Sequence, residues 1–228
     1  FFQKHFKDHV PEGLTTFLVR EKEGREPYAC ISETSTGLAS LAQFGVIEIH
    51  AWNGRRDRLD RPDQFVLDLD PGEEVSFEEL KGAAYLLRDI LKTKELTAYV
   101  KTTGGKGLHL HVPLVRSWGW DVVKAFSRRV AEEAGERARG KFVLTATKSR
   151  RKGKIFIDYL RNGRGATSVV PWTVRARPGA PIARPLAWKD LPSVEAADAL
   201  NLHEAVKKRS FERNPWKNYK PQHIKSAY

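Results

Sequence analysis

The sequence predicts a single α+β domain spanning residues 1–228, and three observations lead to this prediction. Several short apolar runs alternate with polar residues, as in half-buried strands. Two longer segments carry apolar residues at spacings of three and four, which is typical of amphipathic helices that pack on a sheet. No internal repeat or low-complexity linker divides the chain. With 40% hydrophobic side chains in 228 residues, one large core is feasible.

The first elements are predicted from short apolar runs separated by charged turns. Residues 15–20 and 28–32 are expected to pair as a hairpin, and residues 36–43 to form a short helix. Strands are expected at 46–50 and 65–70. The second of these stops at Pro71-Gly72, a pair typical of a turn.

The remaining elements are predicted in the same way. Ser76-Phe-Glu-Glu79 has the pattern of a capping box and should begin a helix. A second helix is expected over 121–139. Strands are expected at 98–103, 108–114, 142–147, 155–160 and, interrupted by Pro171, at 168–175. Residues 178–228 are expected to form a surface wrap, with short helices capped at Ser193 and Asn201, and a basic, loosely held tail.

The composition points to a polyanionic partner. Forty Lys and Arg residues against 28 Asp and Glu give a formal net charge of +12, which favours nucleic acid or nucleotides over a membrane surface. Cys30 is the only cysteine, so an internal disulfide and a cysteine-based zinc finger are excluded. No apolar stretch reaches the length of a membrane span. We therefore expect a cytoplasmic, nucleoid-associated protein without a membrane partner.

The strand Phe65-Val-Leu-Asp-Leu-Asp70 carries the strongest chemical signal. Because side chains alternate along a strand, Asp68 and Asp70 share one face while Phe65 and Leu67 share the other. Two neighbouring carboxylates repel each other unless a cation lies between them, and oxygen ligands suit magnesium or manganese. A half-exposed strand with both aspartates in water is the alternative from these residues alone.

Asp158 is a third candidate carboxylate. It lies within the apolar run 154–160, where an unpaired charge would be costly. Three aspartates from two strands could hold two metal ions. The alternative is a salt bridge from Asp158 to a basic neighbour such as Arg161 or Lys154.

Thr102-Thr-Gly-Gly-Lys-Gly107 follows a predicted strand and combines hydroxyls, flexible backbone and one lysine. Such a turn can cradle an anion, although an ordinary glycine hairpin explains it equally well, and the Walker A spacing is absent. On the next strand His109 and His111 share a face. A zinc site lacks a third ligand nearby, so we expect a role facing phosphate for one histidine, with a purely structural role as the alternative.

Basic residues cluster after the second helix. Residues 148–154 hold five of them in seven positions, and Arg161, Arg164, Arg175 and Arg177 follow. Arginine suits phosphate oxygens, and Trp52 and Trp172 could stack on bases. A nucleic-acid groove is the functional interpretation, and a solvated surface loop is the alternative for 148–154.

Five segments together resemble the polymerase domain of bacterial DNA ligase D, in the archaeo-eukaryotic primase superfamily, which works in non-homologous end joining. They occur in family order: Phe1-Phe-Gln-Lys-His5, Gly45-Val-Ile-Glu-Ile-His50, Phe65-Val-Leu-Asp-Leu-Asp-Pro-Gly72, Thr103-Gly-Gly-Lys-Gly-Leu-His109 and Ile157-Asp-Tyr-Leu-Arg-Asn162. The resemblance reaches from the first residue to about Arg177. It implies a primase-polymerase fold whose central, largely antiparallel sheet carries the catalytic aspartates.

The resemblance also implies a template-directed nucleotidyltransferase that adds nucleotides to DNA 3′ ends. Asp68, Asp70 and Asp158 would hold two Mn²⁺ or Mg²⁺ ions. The nucleotide would be bound by residues from several separate segments, which are Thr103, Lys106, His109, Arg175, His50, Arg151 and Arg161. Phe1, Phe2 and Lys4 would contact the template or DNA. The implied partners are broken or gapped DNA ends, NTP or dNTP, and ligase and phosphoesterase domains of the same or another protein.

Two departures accompany the resemblance. Thr103 occupies a position where the family more often has serine, and the family's N-terminal segment with its 5′-phosphate-binding lysines is not in this chain. Alternative functions from other classes are a metal-dependent phosphodiesterase or nuclease and a non-catalytic DNA-end-binding module.

Overall fold

A computed structural model describes residues 10–21, 24–31 and 34–225, with side chains described for 10–19 and 34–225. The chain divides between Ile47 and Glu48 into two compact units, and each is described by itself. The single domain expected over 1–228 stays a prediction.

The first unit contains a hairpin and one helix. Strands β1 (Leu14–Glu21) and β2 (Gly24–Ile31) pair antiparallel, with Leu14 opposite Ile31, and helix α1 covers Ser35–Gln43. The predicted hairpin and helix are confirmed, and the strands extend further into the charged turn than expected. The predicted strand at 46–50 is wrong for most of its length, because only its last residue, His50, is in a strand.

The second unit is built on a six-stranded sheet. Its elements in chain order are β3 (His50–Ala51), β4 (Gln64–Pro71), α2 (Phe77–Thr93), β5 (Tyr99–Thr102), β6 (Leu108–Pro113), α3 (Trp120–Arg137), β7 (Phe142–Val143), β8 (Ile155–Asp158), β9 (Ser168–Val169), β10 (Pro185–Leu186) and α4 (Leu202–Lys207). The strand order is β10-β5-β6-β4-β8-β7, and β3 pairs separately with β9. Every pair in the large sheet is antiparallel except β7 with β8. The predicted pairing of 142–147 with 155–160 is therefore parallel and shorter than expected, because the basic segment between them is not a hairpin turn.

Helices α2 and α3 cover one face of the sheet. The predicted capping box is confirmed, since Ser76 accepts a hydrogen bond from the Glu79 N–H and Glu79 accepts one from the Ser76 N–H. The apolar sides of the helices pack against β4, β6 and β7. Phe65, Leu67 and Leu69 of β4 are fully buried beneath them. This burial is the main stabilising term of the unit and leaves the opposite sheet face for polar chemistry.

The C-terminal segment differs from the prediction in two places. A helix capped at Ser193 is wrong, because Ser193 ends a 3₁₀ segment, Trp188–Ser193, whereas Asn201 caps α4 through the Glu204 N–H as predicted. The basic tail is anchored to the sheet, since Trp216 donates hydrogen bonds to Val100 O and Leu186 O. Within the described ranges, no helix has both the length and the apolarity that crossing a bilayer requires.

The end of β4 is fixed against the basic segment that precedes β8. The Gly72 N–H donates to Lys154 O and the Gly153 N–H donates to Glu73 O. A Cβ atom on Gly72 would lie 1.7 Å from Arg151 O, so only glycine allows this approach. The turn predicted at Pro71-Gly72 thus holds the basic segment beside the carboxylates of β4.

Candidate active site

A row of polar side chains crosses four adjacent strands on the face away from α2 and α3. Asp68 of β4 stands directly opposite His109 of β6 on one side and Asp158 of β8 on the other, and Lys101 of β5 stands opposite His109. All four residues are buried. His109 Nε2 lies 3.2 Å from Asp68 Oδ1. Sheet register therefore assembles this row from residues that are distant in sequence.

Arg161 lies between the two central carboxylates. Its Nε is 3.4 Å from Asp68 Oδ2 and 3.1 Å from Asp158 Oδ2. It is carried by the 3₁₀ turn Leu160–Asn162 that follows β8, where the Leu160 N–H donates to Asp158 Oδ1. The salt bridge to Arg161 considered from the sequence is thus present, and it joins both carboxylates.

The aspartates have raised pKa values. Burial raises the pKa of Asp68, although the positive charges of Arg161 and Lys101 act to lower it. Burial also raises the pKa of Asp158. Asp70 stands on the same face two residues beyond Asp68. Burial and the charge of Asp68 raise the pKa of Asp70 to about 6, although Arg151 is 3.8 Å away. Low local dielectric raises all three pKa values, and a neighbouring carboxylate contributes for Asp70 and Asp158. A cation placed among the three carboxylates would act in the opposite direction.

Asn162 holds the 3₁₀ turn against the sheet. Its side chain accepts from the Val66 N–H at 2.8 Å and donates to Val66 O at 2.8 Å, so the amide continues the pairing of β4 beyond the end of β8. It also donates to Ser127 Oγ and to Tyr159 O. The position of Arg161 is consequently fixed by its neighbour in sequence.

Two buried basic groups flank the carboxylates without neutralising them fully. Burial lowers the pKa of Lys101 to about 7, and burial together with the charge of Lys101 lowers the pKa of His109 well below its usual value. His109 is therefore neutral at pH 7.

His111 is enclosed by Gln64, which contacts its Nδ1 at 3.0 Å, and by the ring of Trp216. This environment agrees with the structural role considered for His111.

The turn after β5 is organised by Thr103. Its hydroxyl accepts from the N–H groups of Gly105 at 3.3 Å and Gly107 at 3.1 Å, and Arg175 donates to its carbonyl oxygen. Gly104 has φ +65, and a Cβ there would lie 2.7 Å from Arg175 Cγ. The backbone N–H groups of Gly105 and Gly107, which were predicted to help bind an anion, therefore point inward, because the Thr103 hydroxyl accepts hydrogen bonds from both.

Glu48 connects the histidine of β3 with the turn. Its Oε1 is 2.6 Å from His50 Nε2 and 3.0 Å from Arg175 Nε, and its Oε2 accepts from the Ala176 N–H. Burial alone would raise the pKa of Glu48, but the hydrogen bonds from Arg175, His50 and Ala176 lower it to about 2. One carboxylate thus sets the positions of two predicted nucleotide-binding side chains.

We expect Glu48→Gln to lower the free energy of unfolding by about 1–2 kcal/mol at pH 7. The folded pKa of Glu48 lies below its ordinary value of 4.5, so this stabilisation is present above pH 4.5 and disappears as the pH falls towards 2. Urea unfolding of both proteins at pH 7, 5 and 3 measures the difference. A difference in free energy of unfolding between the two proteins that stays constant down to pH 3 would contradict the role of the ionised carboxylate.

The structure brings most of the predicted site residues together in two neighbouring clusters. One contains Asp68, Asp70, Asp158, His109, Arg151 and Arg161, and the other contains His50, Thr103 and Arg175. Lys106 is exposed on the turn. Phe1, Phe2 and Lys4 lie outside the described residues.

Three residues that matter for this geometry were not assigned by the sequence predictions. Glu48 precedes His50 by two positions, and strand alternation could have placed both on one face. Lys101 reads as an ordinary surface lysine until the register of β5 with β6 is known. Asn162 belongs to one of the segments that carry the family resemblance, but nothing in its sequence neighbourhood indicates that its amide pairs with Val66.

Within the described ranges, no set of three or more His, Cys, Asp or Glu side chains is arranged to hold a metal ion. The carboxylates nevertheless have the chemistry that a hard divalent cation requires, since they supply only oxygen ligands. Asp68 Oδ1 is buried without a hydrogen-bond partner. The donor set therefore fits such an ion, although the carboxylates do not form a complete coordination sphere.

A sequence profile described as "LigD, primase-polymerase domain" matches residues 1–216. The chain belongs to this family. It is 37% identical over 222 residues to the multifunctional non-homologous end joining protein LigD of Pseudomonas aeruginosa, covering 96% of this chain and 26% of that protein. It is 28% identical over 195 residues to the bifunctional LigD of Bacillus subtilis, covering 85% and 31% respectively. The chain thus spans about a quarter to a third of these relatives.

A solved structure supports the same fold. The polymerase domain of Mycobacterium tuberculosis ligase D in complex with DNA matches with a TM-score of 0.83 and 28% identity, covering 93% of this chain and 76% of that chain. The predicted α+β primase-polymerase fold is confirmed. The resemblance inferred from five short segments therefore extends to a fold match over 93% of this chain.

Proposed function

We propose that this member of the LigD primase-polymerase family is a template-directed nucleotidyltransferase that adds ribo- or deoxyribonucleotides to DNA 3′ ends during non-homologous end joining. The observation that carries the proposal is the pair Asp68 and Asp158, directly opposite each other on adjacent strands with Asp70 on the same face. In the reaction, the primer 3′-oxygen forms a bond to the α-phosphorus of the nucleotide, and the bond to pyrophosphate breaks. A DNA substrate would support action in the cytoplasm, beside the nucleoid.

The three aspartates would hold two divalent ions, Mn²⁺ or Mg²⁺. When bound, these ions supply activation of the attacking oxygen and charge stabilisation for the leaving pyrophosphate. The positive charge of Arg161 balances the carboxylates of Asp68 and Asp158, and the neutral His109 lies 3.2 Å from Asp68. The ion assignment is supported by the raised pKa values of the three carboxylates.

The second cluster would bind the nucleotide. Arg175 and the exposed Lys106 provide positive charge beside the Thr103 turn, and Arg177 adds its guanidinium group 3.4 Å from the position of a Cβ on Gly105. His50, oriented by Glu48, would contact the sugar. The Thr103 hydroxyl acts by shaping the turn, because it is bound to Gly105 and Gly107.

We expect Thr103→Val to raise the KM for nucleotide about tenfold with a smaller change in kcat. Valine keeps the shape of threonine but leaves the two glycine N–H groups without an acceptor, which destabilises the turn by about 1–3 kcal/mol. Thr103→Ser keeps the hydroxyl and is the matched control. Steady-state extension at varied nucleotide concentration measures both constants, and equal KM values for the valine and serine variants would exclude this role.

Primer extension tests the proposal directly. A labelled primer on a longer template, incubated with the protein, Mn²⁺ and NTP or dNTP, should grow by the nucleotides that the template specifies. Shortening of the primer would indicate a nuclease instead. Retention of the DNA without any change in length would indicate a binding module.

A further inference from the structure

A basic cavity lies outside the carboxylate site. It has a volume of about 650 Å³ and is lined by nine residues: Arg128, Val143, Leu144, Thr145, Ser149, Arg150, Lys152, Lys154 and Tyr159. None of these nine belongs to the two clusters described above. The lining combines four cationic side chains with three hydroxyl groups and two aliphatic residues, so it offers both charge and apolar surface.

The backbone that carries the basic side chains is held in place. The C-terminal end of the segment from 147 to 155 exchanges backbone hydrogen bonds with two neighbouring stretches of chain: Gly153 and Lys154 pair with Glu73 and Gly72, and the Ile155 N–H donates to Lys141 O. Its N-terminal part contains a 3₁₀ turn, Lys148–Arg150. This arrangement disfavours the interpretation of the segment as a freely solvated loop, and it leaves little backbone ordering for a ligand to impose.

The segment directs its cations to two different sides. Arg151 lies over the ring of Phe156 at 4.0 Å and approaches Asp70, within the carboxylate site. Its neighbours Arg150 and Lys152 line the outer cavity instead. The outer cavity is therefore a separate surface, divided from the carboxylates by the same stretch of chain.

The cavity holds positive charge that the described residues do not neutralise. Lys152 pairs with Glu74 and Arg128 pairs with Glu132. Among the described residues, neither Arg150 nor Lys154 has an acidic side chain within ion-pair distance. Two uncompensated cations beside three hydroxyl groups favour phosphate oxygens.

We propose that this outer cavity binds a segment of single-stranded DNA, with Arg150 and Lys154 contacting phosphates and Tyr159 contacting a base. Tyr159 and Leu144 provide the apolar contact that a nucleotide unit offers and a free phosphate ion does not. The inference rests on the proposed use of DNA as substrate. The cavity would give the DNA strand a further contact beyond the catalytic centre.

The test is equilibrium binding of a fluorescent single-stranded oligonucleotide by anisotropy, in chelator and without nucleotide. We expect Arg150→Gln with Lys154→Gln to raise Kd about tenfold near 0.1 M salt. The slope of log K against log salt should become shallower by about 1.4, since each phosphate contact on a single strand contributes about 0.7. The double variant Lys92→Gln with Lys189→Gln removes the same charge from exposed positions elsewhere, and its Kd and slope should match the wild type.

A further variant tests the base contact. Tyr159→Leu should weaken binding of the oligonucleotide severalfold, and Tyr159→Phe should not. Unchanged Kd and salt slope in the Arg150 and Lys154 double variant, with a wild-type melting curve, would overturn the proposal. So would equal losses in both double variants, since these would reflect net charge alone.

This experiment is independent of catalysis. If the wild type binds through this cavity but never extends a primer, the proposed function fails and the cavity assignment stands. If it extends primers while the double variant binds normally, only the cavity assignment fails.

Discussion

Replacing Asp68 with asparagine should abolish nucleotide addition and at the same time raise the melting temperature of the metal-free protein. We expect extension to fall at least about a thousandfold, equivalent to about 4 kcal/mol in the activation barrier. Asparagine has almost the same shape, but it carries no charge for a divalent ion. The buried Asp68 has a raised pKa, so its ionised form opposes folding at pH 7. Its removal should stabilise the metal-free fold by on the order of 1 kcal/mol, or about 2–4 °C.

Thermal unfolding in chelator and in Mn²⁺, together with primer extension, measures both effects. Mn²⁺ should raise the melting temperature of the wild type and leave that of Asp68→Asn nearly unchanged. The exposed Asp89, which pairs with Arg88, provides the matched control, and Asp89→Asn should behave as wild type in both assays. Intact extension by Asp68→Asn would refute the assignment of Asp68 as an ion ligand.

Replacing Asn162 with alanine should produce the largest loss of stability. The substitution leaves the Val66 N–H and C=O, Ser127 Oγ and the Asn53 amide without one of their buried partners. Each unsatisfied buried group costs about 1–3 kcal/mol, and because the losses are coupled we expect about 3–4 kcal/mol in total. The melting temperature should fall by roughly 10 °C.

Urea unfolding and extension at a temperature where the variant is folded separate stability from function. Since Asn162 positions the turn that carries Arg161, extension should fall even when the protein is folded. Asn218→Ala, at an exposed position, is the control and should change neither measurement. A decrease in the free energy of unfolding of Asn162→Ala by less than about 1 kcal/mol would show that water replaces the amide and that the pairing with Val66 is not essential.

Much of the second unit could be predicted from the sequence. Periodicity placed α2, α3 and the central strands, because burial on one face imposes a pattern that local sequence carries. The shared face of Asp68 and Asp70 followed from alternation alone. The parallel pairing of β7 with β8 could not be predicted, because strand direction depends on a connection whose backbone contacts are to Gly72 and Glu73.

The candidate site was predictable as a set of residue types but not as a geometry. Asp158 was recognised as a costly buried charge, yet its position opposite Asp68 depends on the register between two strands. Lys101 and Glu48 acquire their roles only from neighbours in space. The strand expected at 46–50 failed because Glu48 is held by His50 and Arg175 and not by strand pairing.

The row formed by Lys101, His109, Asp68 and Asp158 also bears on how the protein folds. Its members come from four strands, and the register of each strand pair decides whether its members meet. Contacts between residues far apart in the chain form late and slowly, because loop closure must precede them. During refolding, helix content should therefore recover before catalytic competence, and the last strand pairing to reach its register will set the time at which activity returns.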